Sequence, residues 1–169
     1  VLIFGASGGV GTLAVQFAKR RRARVLATAT GRPAARLVQR LGADAVIDPR
    51  SRSGIERLRS LAPDGLDAVL ALAGGDELER CLDMVRAGGR VAYPNGIDPE
   101  PRGRQRVRLL AFDGVAGRRE FARLDRAVAE ARLRVPIAAV YPLAQAAKAH
   151  ARLERGQILG RIVLRIRRR

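Results

Sequence analysis

The sequence predicts a doubly wound α/β fold: a parallel sheet of about six strands with helices on both faces, followed by a C-terminal helix and strand. Three observations carry this. Over roughly the first 90 residues, short apolar runs alternate with stretches of helical periodicity. The apolar runs are continuous, as strands buried on both faces require. The first run leads directly into GASGGVG, Gly5–Gly11, four glycines in seven residues ahead of a helix.

The elements follow in order. VLIF, Val1–Phe4, is a buried strand, and the helix after it repeats Val10, Leu13, Ala14, Phe17 and Ala18 at three-to-four spacing. ARVLATA is a second strand. PAARLVQRLGA is a helix with Pro33 in its first turn and Gly42 as its stop. DAVID, Asp44–Asp48, is a short third strand, GIERLRSLAP a helix, and LDAVLALAGG a fourth strand ending on Gly74 and Gly75. ELERCLDMVRAGG reads as a helix closed by Gly88 and Gly89, and RVAYPNG as a fifth strand. Gly96–Arg106, with Pro99, Pro101 and many charges, reads as an exposed loop. VRLLAFDGVAG supplies a sixth strand. The next helix, RREFARLDRAVAEARLR, carries Phe121, Leu124 and Val128 on one face. VPIAAVYP is extended, LAQAAKAHARLERG is a helix ended by Gly156, and GRIVLRI is a last strand near 158–166. With 169 residues and no linker or repeat, the chain reads as one domain, 1–169.

Composition narrows the class. The formal charge of +17 invites a nucleic-acid reading, but the basic residues are nearly all arginine, only Lys19 and Lys148 being lysine. They are scattered, with short clusters at Arg20–Arg22, Arg102–Arg108 and Arg167–Arg169. With no Trp, two Tyr and four Phe, there is little to stack bases on, so no specific nucleic-acid partner is expected. No apolar run approaches the ~18 residues of a membrane span and no leader pattern opens the chain, so a cytoplasmic protein is expected. One cysteine, Cys81, cannot form an internal disulfide.

The glycine turn is where the function is legible. A helix N-terminus carries unpaired N–H groups and partial positive charge, and so attracts a diphosphate. Gly8 lets the backbone approach the phosphates without a Cβ in the way, Gly11 lets the helix pack closely on the strand, and Ser7, Gly8, Gly9 and Val10 offer amide donors. An NAD site has an Asp or Glu about 20 residues further on, at the end of the second strand. Here that stretch reads ATATGRP, Ala27–Pro33, and no acid occurs between Gly5 and Asp44. Thr28 and Thr30 stand there instead, with Arg32 just beyond and Arg36 one turn on. Either arginine suits the forked contact of a 2′-phosphate, so NADP(H) is the expected cofactor. The missing acid also speaks against a methyltransferase that grips both ribose hydroxyls.

In GASGGVGTLAVQFAK, GADAVID, LDMVRAGGRV and YPLAQAAKAHARLERGQILGRIVLRI the chain resembles the medium-chain dehydrogenase/reductases, within them the zinc-independent quinone oxidoreductase-like branch. The resemblance covers nearly all of the chain and implies a Rossmann fold whose turn holds the cofactor pyrophosphate at Ser7 through Val10, with Gly5 and Gly11 counted among the cofactor-binding residues. It implies that the end of the fourth strand, Leu72-Ala73-Gly74, and of the fifth, Tyr93-Pro94-Asn95, border the ribose and nicotinamide. It also implies a GroES-like catalytic domain ahead of Val1 against which the last strand packs, so that this chain is a fragment or a split protein, with a homodimer as a further expectation. Ile162, Leu164 and Ile166 then form the apolar face of that strand.

The implied reaction is hydride transfer to a small-molecule electron acceptor, a quinone or another conjugated carbonyl compound, with the cofactor supplying the chemistry. A nucleotide-binding module without its own catalysis and an arginine-rich polyanion binder are the competing readings. No residue stands out as catalytic. Cys81 and His150 with carboxylates make a poor zinc donor set, and both read as packing residues, His150 on a stripe with Leu143, Ala147 and Leu153. Neither Tyr93 nor Tyr141 has the Lys four residues on that a short-chain reductase uses.

Overall fold

Leu2, Ile3 and Phe4 form β1 (Leu2–Phe4), and all three are buried because helices cover both faces of the sheet they enter. In the computed structural model, which describes residues 1–166, the chain continues through α1 (Gly11–Arg20), β2 (Leu26–Thr28), α2 (Arg32–Arg40), β3 (Ala45–Ile47), α3 (Arg52–Leu61), β4 (Leu66–Ala71), α4 (Asp76–Leu82) and β5 (Val85–Pro94). Then come β6 (Arg108–Phe112), α5 (Arg118–Ala131), β7 (Ile137–Pro142), a 3₁₀ turn, α6 (Ala146–Glu154) and β8 (Arg161–Arg165). The arginine cluster at 167–169 lies outside the described residues.

The six-stranded sheet has the order β3-β2-β1-β4-β5-β6, all parallel, so the expected doubly wound fold is what forms. One face is packed by Ile55 and Leu58 of α3 with Leu78, Cys81 and Leu82 of α4, over Leu2, Phe4, Val69 and Val91. On the other face Val15 of α1 and Ala34 and Val38 of α2 cover Ile3, Val25 and Ala27. Each fully buried aliphatic side chain contributes about 1.5–3 kcal/mol relative to exposure. α1 is turned relative to its apolar spacing: Gly11, Thr12 and Val15 are buried, whereas Val10 is 56% exposed.

Two expectations are corrected within the sheet. The helix after β4 ends at Leu82, well before Gly88 and Gly89, because Leu66 N–H donates to Met84 O at 2.7 Å and draws the chain into β5. The register passes from Leu66↔Val85 to Ala68↔Arg90, so the intervening residues bulge and the glycine pair sits in that bulge, Gly88 at φ +79°. The loop 96–106 is not merely exposed, either. Arg104 is pinned to α4, its guanidinium 2.9 Å from Glu79 Oε2 and 2.7 Å from Asp83 Oδ1, and Pro101 is buried.

The C-terminal unit is a second, two-stranded parallel sheet, β7–β8, with α6 between the strands. The Gln16 side chain ties it to α1 by donating from Nε2 to Arg134 O at 2.7 Å and accepting from Arg134 N–H at 2.8 Å. Its surfaces depart from expectation. Ile162, Val163 and Leu164 are all half-buried, so β8 has no single apolar face, and Ile166 lies past the strand, 77% exposed. The stripe of Leu143, Ala147, His150 and Leu153 faces outward, the buried residue of α6 being Ala149. Phe121, Leu124 and Val128 of α5 stay open too, the main packing of α5 being along α1. Among the described residues no helix is long and apolar enough to cross a membrane.

Candidate cofactor-binding site

The turn after β1 is built by hydrogen bonds that only glycine geometry permits. Gly5 takes φ +81°, a left-handed conformation that side chains resist, and its N–H donates to the buried Thr28 Oγ1 at 2.9 Å. Gly8 N–H donates back to Gly5 O at 3.3 Å, and Thr12 N–H donates to Gly8 O at 3.0 Å, starting the helix. A Cβ at Gly11 would run into Gly5 O and lie 2.6 Å from Ala6 Cα, so α1 sits this close to β1 only because residue 11 is bare. A Cβ at Gly8, by contrast, would meet only Gly5 O, at 3.5 Å.

The turn borders a cleft of about 670 Å³ at the carboxyl end of the sheet. Ser7 and Gly8 form one wall, Thr28, Thr30 and Gly31 another, and Ala73 and Gly74, past the end of β4, a third. Six of the residues singled out in the sequence therefore meet here: Ser7, Gly8, Thr28, Thr30, Ala73 and Gly74. Gly5 and Gly11 shape the turn from behind.

The others stand elsewhere. Gly9 faces the C-terminal unit: a Cβ there would lie 3.2 Å from Arg161 Cγ and 3.4 Å from Gly160 O, while Gly160 N–H donates to Ser7 O at 2.9 Å. Val10 points to solvent. Arg32 and Arg36 are exposed on α2 and outside the cleft lining, which α2 reaches through Pro33 and Ala34. Tyr93 is packed in the core, 8% exposed. Pro94 lies outside the lining as well, and Asn95 Nδ2 donates to Asp113 Oδ2 at 2.7 Å.

Three contributors to the cleft were not read from the sequence. Pro49 and Arg50 follow the end of β3, Glu77 lies in the first turn of α4, and Gln157–Leu159 arrive from the segment before β8. Pro49 and Arg50 carry a usable signal, since ligands of such sheets gather at the carboxyl ends of the strands. The approach of Gln157–Leu159 depends on long-range packing, with no local signature. Cys81 is fully buried, and that burial pushes its thiol up to about 11, so it stays neutral and inert at physiological pH.

Sheet order and cleft together define a doubly wound α/β domain of the Rossmann type. A family model described as zinc-binding dehydrogenase matches residues 41–164, and the chain belongs to that family. The quinone oxidoreductase of Sus scrofa is 33% identical over 162 residues, covering 89% of this chain and 49% of that protein. A crystal structure of an NAD-dependent alcohol dehydrogenase superposes with a TM-score of 0.86 at 28% identity, covering 98% of this chain and 50% of that one. A mycobacterial protein solved with NADPH gives a TM-score of 0.79 at 25% identity, over 96% of this chain and 55% of its own. The resemblance to the medium-chain dehydrogenase/reductases therefore holds, and the chain spans about half the length of the curated quinone oxidoreductases it matches. Despite the family's description, no group of three His, Cys, Asp or Glu among the described residues is placed to hold a metal ion.

Proposed function

We propose that this chain is the NADP(H)-binding part of an oxidoreductase that, within a longer protein, transfers hydride to a quinone or another conjugated carbonyl compound. The observation that carries the reading is the cleft beside β1, where the strand order turns back from β2 to β4, with the bare backbone of Gly8 on its wall. The residues present fit a diphosphate there. A Cβ at Gly8 would approach only Gly5 O, and Gly8 and Ser7 line the open cleft, which leaves room for a phosphate against the bare backbone. At the end of β2 hydroxyl residues replace the acid that would select an unphosphorylated ribose, which favours the 2′-phosphorylated cofactor.

The cofactor, when bound, supplies the hydride. The chain binds and orients it: Ser7 and Gly8 at the diphosphate, Thr30 and the end of β2 at the adenosine side, Ala73 and Gly74 toward the nicotinamide. Thr28 acts through Gly5, whose amide it holds. The rest of the protein, a GroES-like domain by the resemblance, would complete the acceptor site. Fluorescence titration with NADPH and NADH tests the reading, with tighter NADPH binding expected; no binding of either nucleotide would end it.

One observation favours a second reading for the chain by itself. Tyr93, at the end of β5 where the resemblance puts the nicotinamide, is buried in the core and so is not free to hand a proton to a substrate. A nucleotide-binding module without turnover of its own is the consequence, recognised by NADPH binding with no quinone reduction.

A further inference from the structure

The cleft contains one arginine, and it is neither of the two that the sequence brought forward. Arg50 lines it together with Thr28, Thr30 and Gly31, whereas Arg32 and Arg36 stand outside the lining. We infer that Arg50, on the β3–α3 connection, is the residue that recognises the 2′-phosphate of the cofactor's adenosine ribose. The inference rests on the NADP(H) reading above.

The mounting of Arg50 supports this role. Its own N–H donates to Asp48 Oδ1 at 3.1 Å, closing a tight turn around the buried Pro49. Arg80 of α4 holds the same corner from the other side, donating from Nη2 to Pro49 O at 3.3 Å. The backbone of Arg50 is thus fixed, while among the described residues its guanidinium has no hydrogen-bond or ion-pair partner. An anchored stem with an unengaged fork is what bidentate recognition of a phosphate calls for. The acid of the cleft, Glu77, is 4.0 Å from Arg80, so its nearest ion-pair partner is Arg80. Arg32 has the charge but not the position: it leaves α2 at the helix start, and Pro33 and Ala34 are the residues of that turn that face the cleft.

The test is calorimetric titration of the full chain with 2′,5′-ADP and 5′-AMP, comparing wild type, Arg50→Gln, Arg50→Lys and Arg32→Gln, with circular dichroism confirming each fold. Wild type is expected to prefer 2′,5′-ADP. Arg50→Gln should weaken 2′,5′-ADP about 10- to 100-fold, the loss of one charge-assisted contact. It should leave 5′-AMP unchanged, Arg50→Lys should recover part of the loss, and Arg32→Gln should change neither ligand. If wild type prefers 2′,5′-ADP and Arg50→Gln keeps that preference, or Arg32→Gln removes it, the assignment to Arg50 falls and the cofactor reading stands. If wild type binds neither ligand, or both equally, the NADP(H) reading falls and the assignment goes with it.

Discussion

The Gly5 amide and the Thr28 hydroxyl, 23 positions apart in the chain, meet at 2.9 Å and join the glycine turn to the end of β2. Thr28 is 3% exposed, so water does not replace this bond when it is lost. Thr28→Val keeps the shape and leaves the Gly5 N–H without its acceptor. Unfolding by denaturant should show a loss of about 1–3 kcal/mol. Thr28→Ser, which keeps the oxygen, should recover most of it; a Thr28→Val protein as stable as wild type would mean that the hydroxyl does not matter.

Gly8 and Gly11 have opposite surroundings, so alanine should separate binding from stability. Gly11→Ala drives a Cβ into the backbone of Gly5 and Ala6, and overpacking of this kind costs about 1–3 kcal/mol, more than the ~1 kcal/mol helix-propensity gain of alanine. Gly8→Ala meets only Gly5 O at 3.5 Å, so the melting temperature should barely move. Its methyl group instead fills phosphate space, and NADPH affinity should fall by at least about tenfold. Unaltered NADPH affinity in Gly8→Ala would place the diphosphate elsewhere.

The Asp44 carboxylate, 2.8 Å from Lys19 Nζ and accepting from Val25 N–H at 2.7 Å, is held below the usual carboxylate range, first by the Lys19 hydrogen bond and then by the Val25 amide. A depressed folded-state value means that the stabilisation is present at neutral pH, above the unfolded value of about 4, and disappears as pH falls through the lower folded value. Asp44→Asn should therefore lower stability at pH 7, by less than about 1 kcal/mol for so exposed a pair. The difference from wild type should vanish in acid.

Phe121, Leu124 and Val128 on α5 and Ile137 and Val140 on β7 leave apolar surface open, each residue at least 42% exposed. The isolated chain should associate in a concentration-dependent way, measured by light scattering. Leu124→Glu combined with Val140→Glu should reduce it. A clean monomer across the micromolar range would count against this.

Much of the architecture is legible along the chain. β1 to β4 follow from continuous apolar runs, and the turn from glycines whose need is local, as at Gly5 with its positive φ. The end of helix α4 is not legible there, because residues 83–87 have acceptable helical spacing and the pull of Leu66 on Met84 is invisible in that window. Periodicity likewise identifies α5 and α6 but not which side of each is covered. The apolar stripe of α5 and the Leu143–Leu153 stripe are both exposed among the described residues, and which side a helix buries is set by its neighbours rather than by its own spacing.

Within the candidate site the same division applies. Sequence alone determined the strand–turn–helix that opens the cleft, and the lack of an acid after β2, because backbone conformation and side-chain chemistry at those positions are properties of neighbours in the chain. Tertiary structure alone decided that Arg50 rather than Arg32 lines the cleft, that Gly9 is covered by Gly160 and Arg161, and that Tyr93 is buried. Those outcomes depend on contacts such as Gly160 N–H to Ser7 O and Arg80 to Pro49 O, made across many intervening residues. Such contacts arise when two surfaces pack, and no short stretch of sequence carries both surfaces.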